Sequence, residues 1–179
     1  MFAYVLNNIF QYFIPAGTAF EIDGVQYPAN WLNLSTPEQK AALGIVDVVY
    51  GTYPNDTYYW VSQDSPVYAD GVVTVNYTAT PKDLATCQAN AVSAINAAAY
   101  SQLQPTDWLV IRSTESGGVY PVPATWNTWR QQIRTQASNA AAAINACTTV
   151  DELAALPPIQ WIAQPTTLPA EVAPTTVTP

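Results

Sequence analysis

The chain has 179 residues, enough for one domain or two small lobes, and a formal net charge of −8 from thirteen acids and five cations. Only 10% of its residues are charged and 49% are hydrophobic, which marks a folding chain and not a disordered one. Five cations are too few to track a phosphate backbone, which argues against nucleic acid and anionic membrane surfaces as partners, and the lack of histidine removes the commonest general base and metal ligand.

No stretch has the length of a membrane span. The opening MFAYVLNNIFQYFIP lacks a basic leader and a cleavage box, so it reads as a hairpin and not a signal peptide. Met1 to Leu6 and Ile9 to Ile14 flank Asn7-Asn8, and Phe20 to Ile22 and Val25 to Tyr27 flank Asp23-Gly24; both dipeptides tolerate positive φ. LSTPEQKAALG then carries a full short-helix signature, with Ser35 or Thr36 as cap, Pro37 at the first position, Glu38 near the positive end and Gly44 as terminator. Ile45 to Tyr50, Thr57 to Ser62 and Val72 to Thr78 are expected strands, separated by Pro54-Asn55 and Asp70-Gly71. Tyr58, Tyr59 and Trp60 sit side by side and so face both sides of a sheet. They form either a platform for sugar or protein, or a core filling with a cross-strand ladder, which is the commoner use of strand aromatics.

From Pro81 the composition turns helical. Thr80 is the expected cap, with Asp83 in the first turn, and Leu84, Cys87, Ala91, Ala94 or Ile95, and Ala98 form one apolar stripe. Pro105 interrupts, PTDWLVIRSTES restarts a shorter helix, and Gly117-Gly118 ends it. A long helix follows, with Trp126, Trp129, Ile133, Ala137, Ala140, Ile144 and Cys147 on one face. Cys87 and Cys147 are equidistant from Gly117, so a helical hairpin turning there brings them to one end; small buried thiols are preferred to a bridge. Thr149 caps a last short helix, and Ile159, Trp161 and Ile162 are expected to fold back on the helices. The predicted class is α+β: a small antiparallel β lobe over residues 1–80, an antiparallel helical hairpin over 81–164, and a Pro/Thr-rich extended arm over 165–179.

Motifs for nucleotide, zinc or serine chemistry are lacking, so no catalytic residue, cofactor or metal is expected. Asp47, Asp56, Asp64 and Asp70 are the carboxylates a glycan hydrolase would have to use. Arg112, Arg130 and Arg134 cluster around the Gly turn, as a cationic knob for an acidic partner or as ordinary ion pairs; Glu115 is one turn from Arg112. The three sequons at Asn33, Asn55 and Asn76 are read as chance matches in an Asn/Thr-rich chain.

Three stretches resemble proteins of tailed bacteriophages: GVQYPANWLNLSTPEQKAALGI (Gly24 to Ile45), DWLVIRSTESGGVYPVPATWNTWRQQIR (Asp107 to Arg134) and ELAALPPIQWIAQP (Glu152 to Pro165). The last is similar to the ending of tail-fibre assembly proteins, although Trp161 is followed here by Ile162 where those usually have proline. The resemblance implies a non-enzymatic tail protein, built into the fibre or baseplate or serving as an assembly chaperone. It would be found in the virion and, during assembly, in the host cytoplasm. Its implied partners are other tail or fibre proteins; a second copy of the chain is a further expected partner, and Tyr58, Tyr59 and Trp60 with nearby Asn55 and Asp56 suggest a host glycan as another. Tyr58, Tyr59, Trp60, Arg112, Arg130, Arg134 and Trp161 are the expected contact residues.

Overall fold

A computed structural model describes residues 1–166; most of the arm expected over 165–179 lies outside them. The chain is α+β and divides into two compact units, Met1–Thr80 and Pro81–Pro179.

The first unit begins with a hairpin of β1 (Phe2–Leu6) and β2 (Ile9–Ile14). Asn7 and Asn8 close it at φ 52° and 63°, the left-handed pair that matches the strands' own twist. Tyr4 faces Tyr12 but Val5 faces Phe10, leaving Gln11 as the extra residue of a bulge. The bulge shifts the alternation by one, so Phe10 and Phe13, three apart in sequence, lie on one face with ring centroids 4.7 Å apart.

A second hairpin, β3 (Phe20–Ile22) and β4 (Val25–Tyr27), turns on Asp23 and Gly24, both at positive φ. Two short helices follow, α1 (Trp31–Leu34) and α2 (Pro37–Ala42). Only α2 was legible from its cap: Thr36 and Gln39 form a reciprocal capping box. Gly44 then turns the chain at φ 71°, with its carbonyl accepting from Val5 N at 2.8 Å.

β5 (Ile45–Tyr50) lies antiparallel beside β1. β7 (Val67–Ala69) and β8 (Val72–Val75) form a hairpin on Asp70-Gly71, and β8 runs parallel to β5. The expectation of a wholly antiparallel lobe is therefore corrected. Residues 51–71 give β5 and β8 a connection long enough to cross over, which a parallel pair requires. The sheet order is β2-β1-β5-β8-β7, and the two outer strands approach each other, so the sheet curls. The expected strand Val72 to Thr78 breaks at Asn76. Beyond it β9 (Tyr77–Pro81) leaves the main sheet and pairs with β6 (Tyr59–Gln63) as a two-stranded ribbon.

The curled sheet is buried on both faces. Phe2, Tyr4, Ile14 and Ile45 pack under Phe20, Ile22, Leu32 and the aromatic trio of Phe20, Tyr27 and Trp31. Ala3, Val5 and Val73 fill the other side with Phe10, Phe13, Val46, Val48 and Tyr68. That double burial explains why β1 reads FAYVL with no polar alternation.

In the second unit α3 (Leu84–Leu103) is capped by Asp83, whose carboxylate accepts from Thr86 N at 2.8 Å and Thr86 Oγ1 at 2.7 Å. Thr80, the expected cap, belongs to β9 instead; the Asp83 carboxylate reaches the free N–H groups of the first turn. The buried stripe of α3 passes through Cys87, Ala91, Ile95 and Ala99, while Ala94 faces out. A single 3-10 turn (Gln104–Thr106) leads into α4 (Asp107–Glu115). Gly117 and Gly118 end α4 at positive φ, with Gly118 N donating to Ser113 O and Gly117 N to Thr114 O.

The long helix α5 (Ala124–Ala146) packs along α3. Gln88, early in α3, donates to Ile144 O and Cys147 O, while Arg130, early in α5, reaches Leu103 O, so the two run in opposite directions. Bulk gathers at one end, in Trp126, Trp129, Ile133 and Leu109, and thins to alanine toward the other. Cys87 and Cys147 are both free thiols. α6 (Val150–Ala154) is capped by Thr149, and residues 160–162 lie along α5 through Gln136 and Trp129.

Two predictions follow from these local geometries. Gly44→Ala places a methyl against Val5 O in a left-handed backbone, whereas Gly71→Ala meets only the backbone penalty, with open space around it. Urea denaturation should show about 1–2 kcal/mol lost at Gly71 and more at Gly44. The second concerns acid. The Thr86 hydroxyl, then its N–H, hold Asp83 below its ordinary pKa, and Thr148 N–H, then its hydroxyl, do the same for Glu152. Both carboxyls therefore stabilise the fold above their unfolded values, and that contribution disappears as pH falls through the folded ones. The melting temperature of the helical unit should drop between about pH 5 and pH 3, less steeply in Asp83→Asn and Glu152→Gln.

Candidate functional site

The residues singled out by sequence fall in three places. Tyr58 sits in the turn before β6, where Asn55 accepts from Thr57, Tyr58 and Tyr59 backbone N–H groups. Tyr59 and Trp60 open β6 and alternate across the ribbon, Tyr59 half-buried and Trp60 68% exposed. The three aromatics therefore make no common platform. On the face of Tyr59 and Tyr77 lies Tyr53, edge-on to Tyr77 at 5.0 Å. On the opposite face lie Trp60 and Ser62 of β6, with Asp64 just past its end, and Thr78 Oγ1 donates to Asp64 Oδ1 at 2.7 Å, which puts Thr78 and Thr80 on that same side.

The arginines do not form a knob. Arg130 is 4% exposed: its guanidinium donates to Leu103 O at 2.9 Å, to the buried Thr106 hydroxyl, and to Asp107 Oδ1 at 2.6 Å. One planar fork thus satisfies the end of α3, the 3-10 turn and the start of α4 from a position on α5. Arg134, one turn on, is exposed. Arg112 lies over the Tyr120 ring, 4.2 Å from its centroid, in place of the Glu115 pairing that its spacing suggested. Arg130 and Arg134 lie one turn apart on α5, and the packing of the 3-10 turn and α4 against α5 separates their fates.

Trp161 is also turned inward, packing on the core of Trp126, Trp129 and Ile133 while Trp129 Nε1 donates to Ile162 O at 3.2 Å. What sequence reasoning missed is the outer face of α4. Leu109 alone is fully buried there, and Trp108, Val110 and Ile111 are exposed, Ile111 by 55%. The signal was present in DWLVI, four apolar residues in a row on a helix that can bury only one side.

In the first unit an open groove of about 220 Å³ is lined by Phe2, Lys40, Ala41, Val46, Asp47 and Gly71, among others, with Lys40 Nζ 4.5 Å from the Phe2 ring centroid. It holds a single carboxylate, Asp47. Asp56 and Asp70 occupy separate turns, and Asp64 is engaged by Thr78. Among the described residues no group of three or more Cys, Asp or Glu side chains is placed to hold a metal ion, and no helix is long and apolar enough to cross a membrane. No protein-family model, curated protein or solved structure matches the chain.

Removing the buried guanidinium should be costly. Arg130→Met leaves Thr106, Leu103 O and Asp107 without their donor, and urea denaturation of the helical unit should register a loss of about 3 kcal/mol. Arg130→Lys should recover little, since an ammonium cannot span three acceptors in that plane. Arg134→Ala should change stability by less than about 0.5 kcal/mol.

Proposed function

We propose that this chain is a structural protein of a bacteriophage tail, in the fibre or baseplate region, working through contacts with other tail proteins. The observation that carries this reading is the convergence of two of the phage-like stretches. Asp107 to Arg134 supplies α4, the Gly turn and the start of α5, tied by Arg130 and Asp107. Glu152 to Pro165 lies on that same α5 through Trp161, Gln160 and Ile162. Stretches recognised separately along the chain are thus parts of one packed body, as expected if they derive from one ancestral unit. The resemblance supports the tail assignment; the apolar outer side of α4 supports a role in protein contacts.

That same exposed face favours a second reading, an assembly chaperone that shields fibre surface and leaves before maturation. Quantitative mass spectrometry of purified particles from cells carrying the gene separates the two. A fixed copy number per virion is expected for the structural role. Absence from virions with co-purification of fibre protein from lysates would assign the chaperone. Absence from both would remove the tail assignment altogether.

A further inference from the structure

The groove of about 220 Å³ beside α2 in the first unit has a chemically divided lining. Phe2, Pro37, Ala41 and Ile45 supply apolar walls, and one ion of each sign stands among them, Lys40 and Asp47. We propose that this groove binds a free α-amino acid with an apolar side chain, its carboxylate on Lys40 and its ammonium on Asp47.

Three observations carry the assignment. The first is the position of Asp47. It interrupts the apolar run IVDVVY on the central strand of the sheet, where carboxylates are disfavoured, and among the described residues its side chain has no hydrogen-bond or ion-pair partner. All its acceptor capacity is therefore open to a ligand's ammonium. The second is the placement of Lys40. Its Nζ rests 4.5 Å from the Phe2 ring centroid, and Phe2 is the residue that faces Asp47 across β1 and β5. The two charges thus stand over one face of the sheet without pairing with each other, so a molecule carrying both signs can bridge them. Glu38 and Asp70, sequence neighbours of the lining residues Pro37 and Gly71, add negative charge nearby, which disfavours a ligand that is only an anion. The third is size. β8 begins at Val72, opposite Asp47, and so stops short of Ile45; the groove lies between β5, α2 and the Asp70-Gly71 turn. Its volume falls below the roughly 300–1,000 Å³ of drug-sized sites, which suits one amino acid and not a longer peptide. The groove is open to water, so binding on the order of millimolar is expected.

This inference stands on the groove and not on the tail assignment, so either can fail alone. The test is saturation-transfer NMR on the full chain with leucine, valine and phenylalanine, and with N-acetyl-leucine and leucine amide, each of which lacks one of the two charges. Saturable transfer is expected for at least one of the three amino acids, with both singly charged analogues weaker than leucine by about fivefold. Lys40→Gln and Asp47→Asn should each weaken binding by about the same factor, with far-ultraviolet circular dichroism unchanged. Ala41→Leu adds bulk to the groove wall while keeping both charges, and should abolish binding. Trp108→Ala, on α4, should bind as the parent does. No saturable transfer from any of the three amino acids, or analogues that bind as leucine does, would overturn the proposal. So would binding that survives Ala41→Leu, or that neither charge substitution weakens, since either result places the ligand elsewhere on the chain.

Discussion

A guanidinium almost wholly withdrawn from water is tolerable only where it finds acceptors, and Arg130 finds three, in residues from three successive segments. The chain between α3 and α5 is consequently no free loop. Its 3-10 turn and α4 are held against α5 at Thr106 and Asp107, where one passes into the other, with Leu109 buried on one side and Trp108 and Ile111 turned outward on the other. Asp107 is 43% exposed, so the ion pair sits at the boundary of solvent and core, where the charge on Asp107 keeps part of its hydration. The exposed face of α4 is thus a consequence of the same contact that orders the helix.

The first unit solves a different problem. A short β1 with apolar side chains on both faces needs cover on both, and the chain supplies it by curling the sheet and folding the β3–β4 hairpin with α1 onto the outer side. The Gln11 bulge is part of that solution, because it turns Phe10 inward where strict alternation would have placed it outside. The β6–β9 ribbon stands apart from both cores. Two strands alone bury little, and the residues on its outer side are free to be polar with one large ring.

Local elements were readable in proportion to how local their causes are. Asn7-Asn8, Asp23-Gly24 and Asp70-Gly71 announced their turns because few residues accept a left-handed backbone. The capping chemistry of Thr36 and Thr149 located two helix starts within a residue. At α3 the expected cap, Thr80, is taken up by strand pairing in β9, and Asp83, expected in the first turn, is the cap instead. The surroundings of the expected contact residues depend on more distant partners. Trp161 packs on the core around Trp129, in keeping with the expected fold-back of its segment, whereas Arg130, expected among the contact residues, is buried among Leu103, Thr106 and Asp107.

The order of amino acids was thus sufficient to specify turns, caps, the apolar seam of α5 and the change from strand to helix near residue 80. These depend on side chains within one or two turns of each other, whose energetics the chain carries locally. The parallel alignment of β5 and β8, the inward Arg130 and the outward Trp60 depend on which surfaces meet after long connections close. Burial assigns a residue to core or solvent only once that partner surface exists, so these features belong to the tertiary fold.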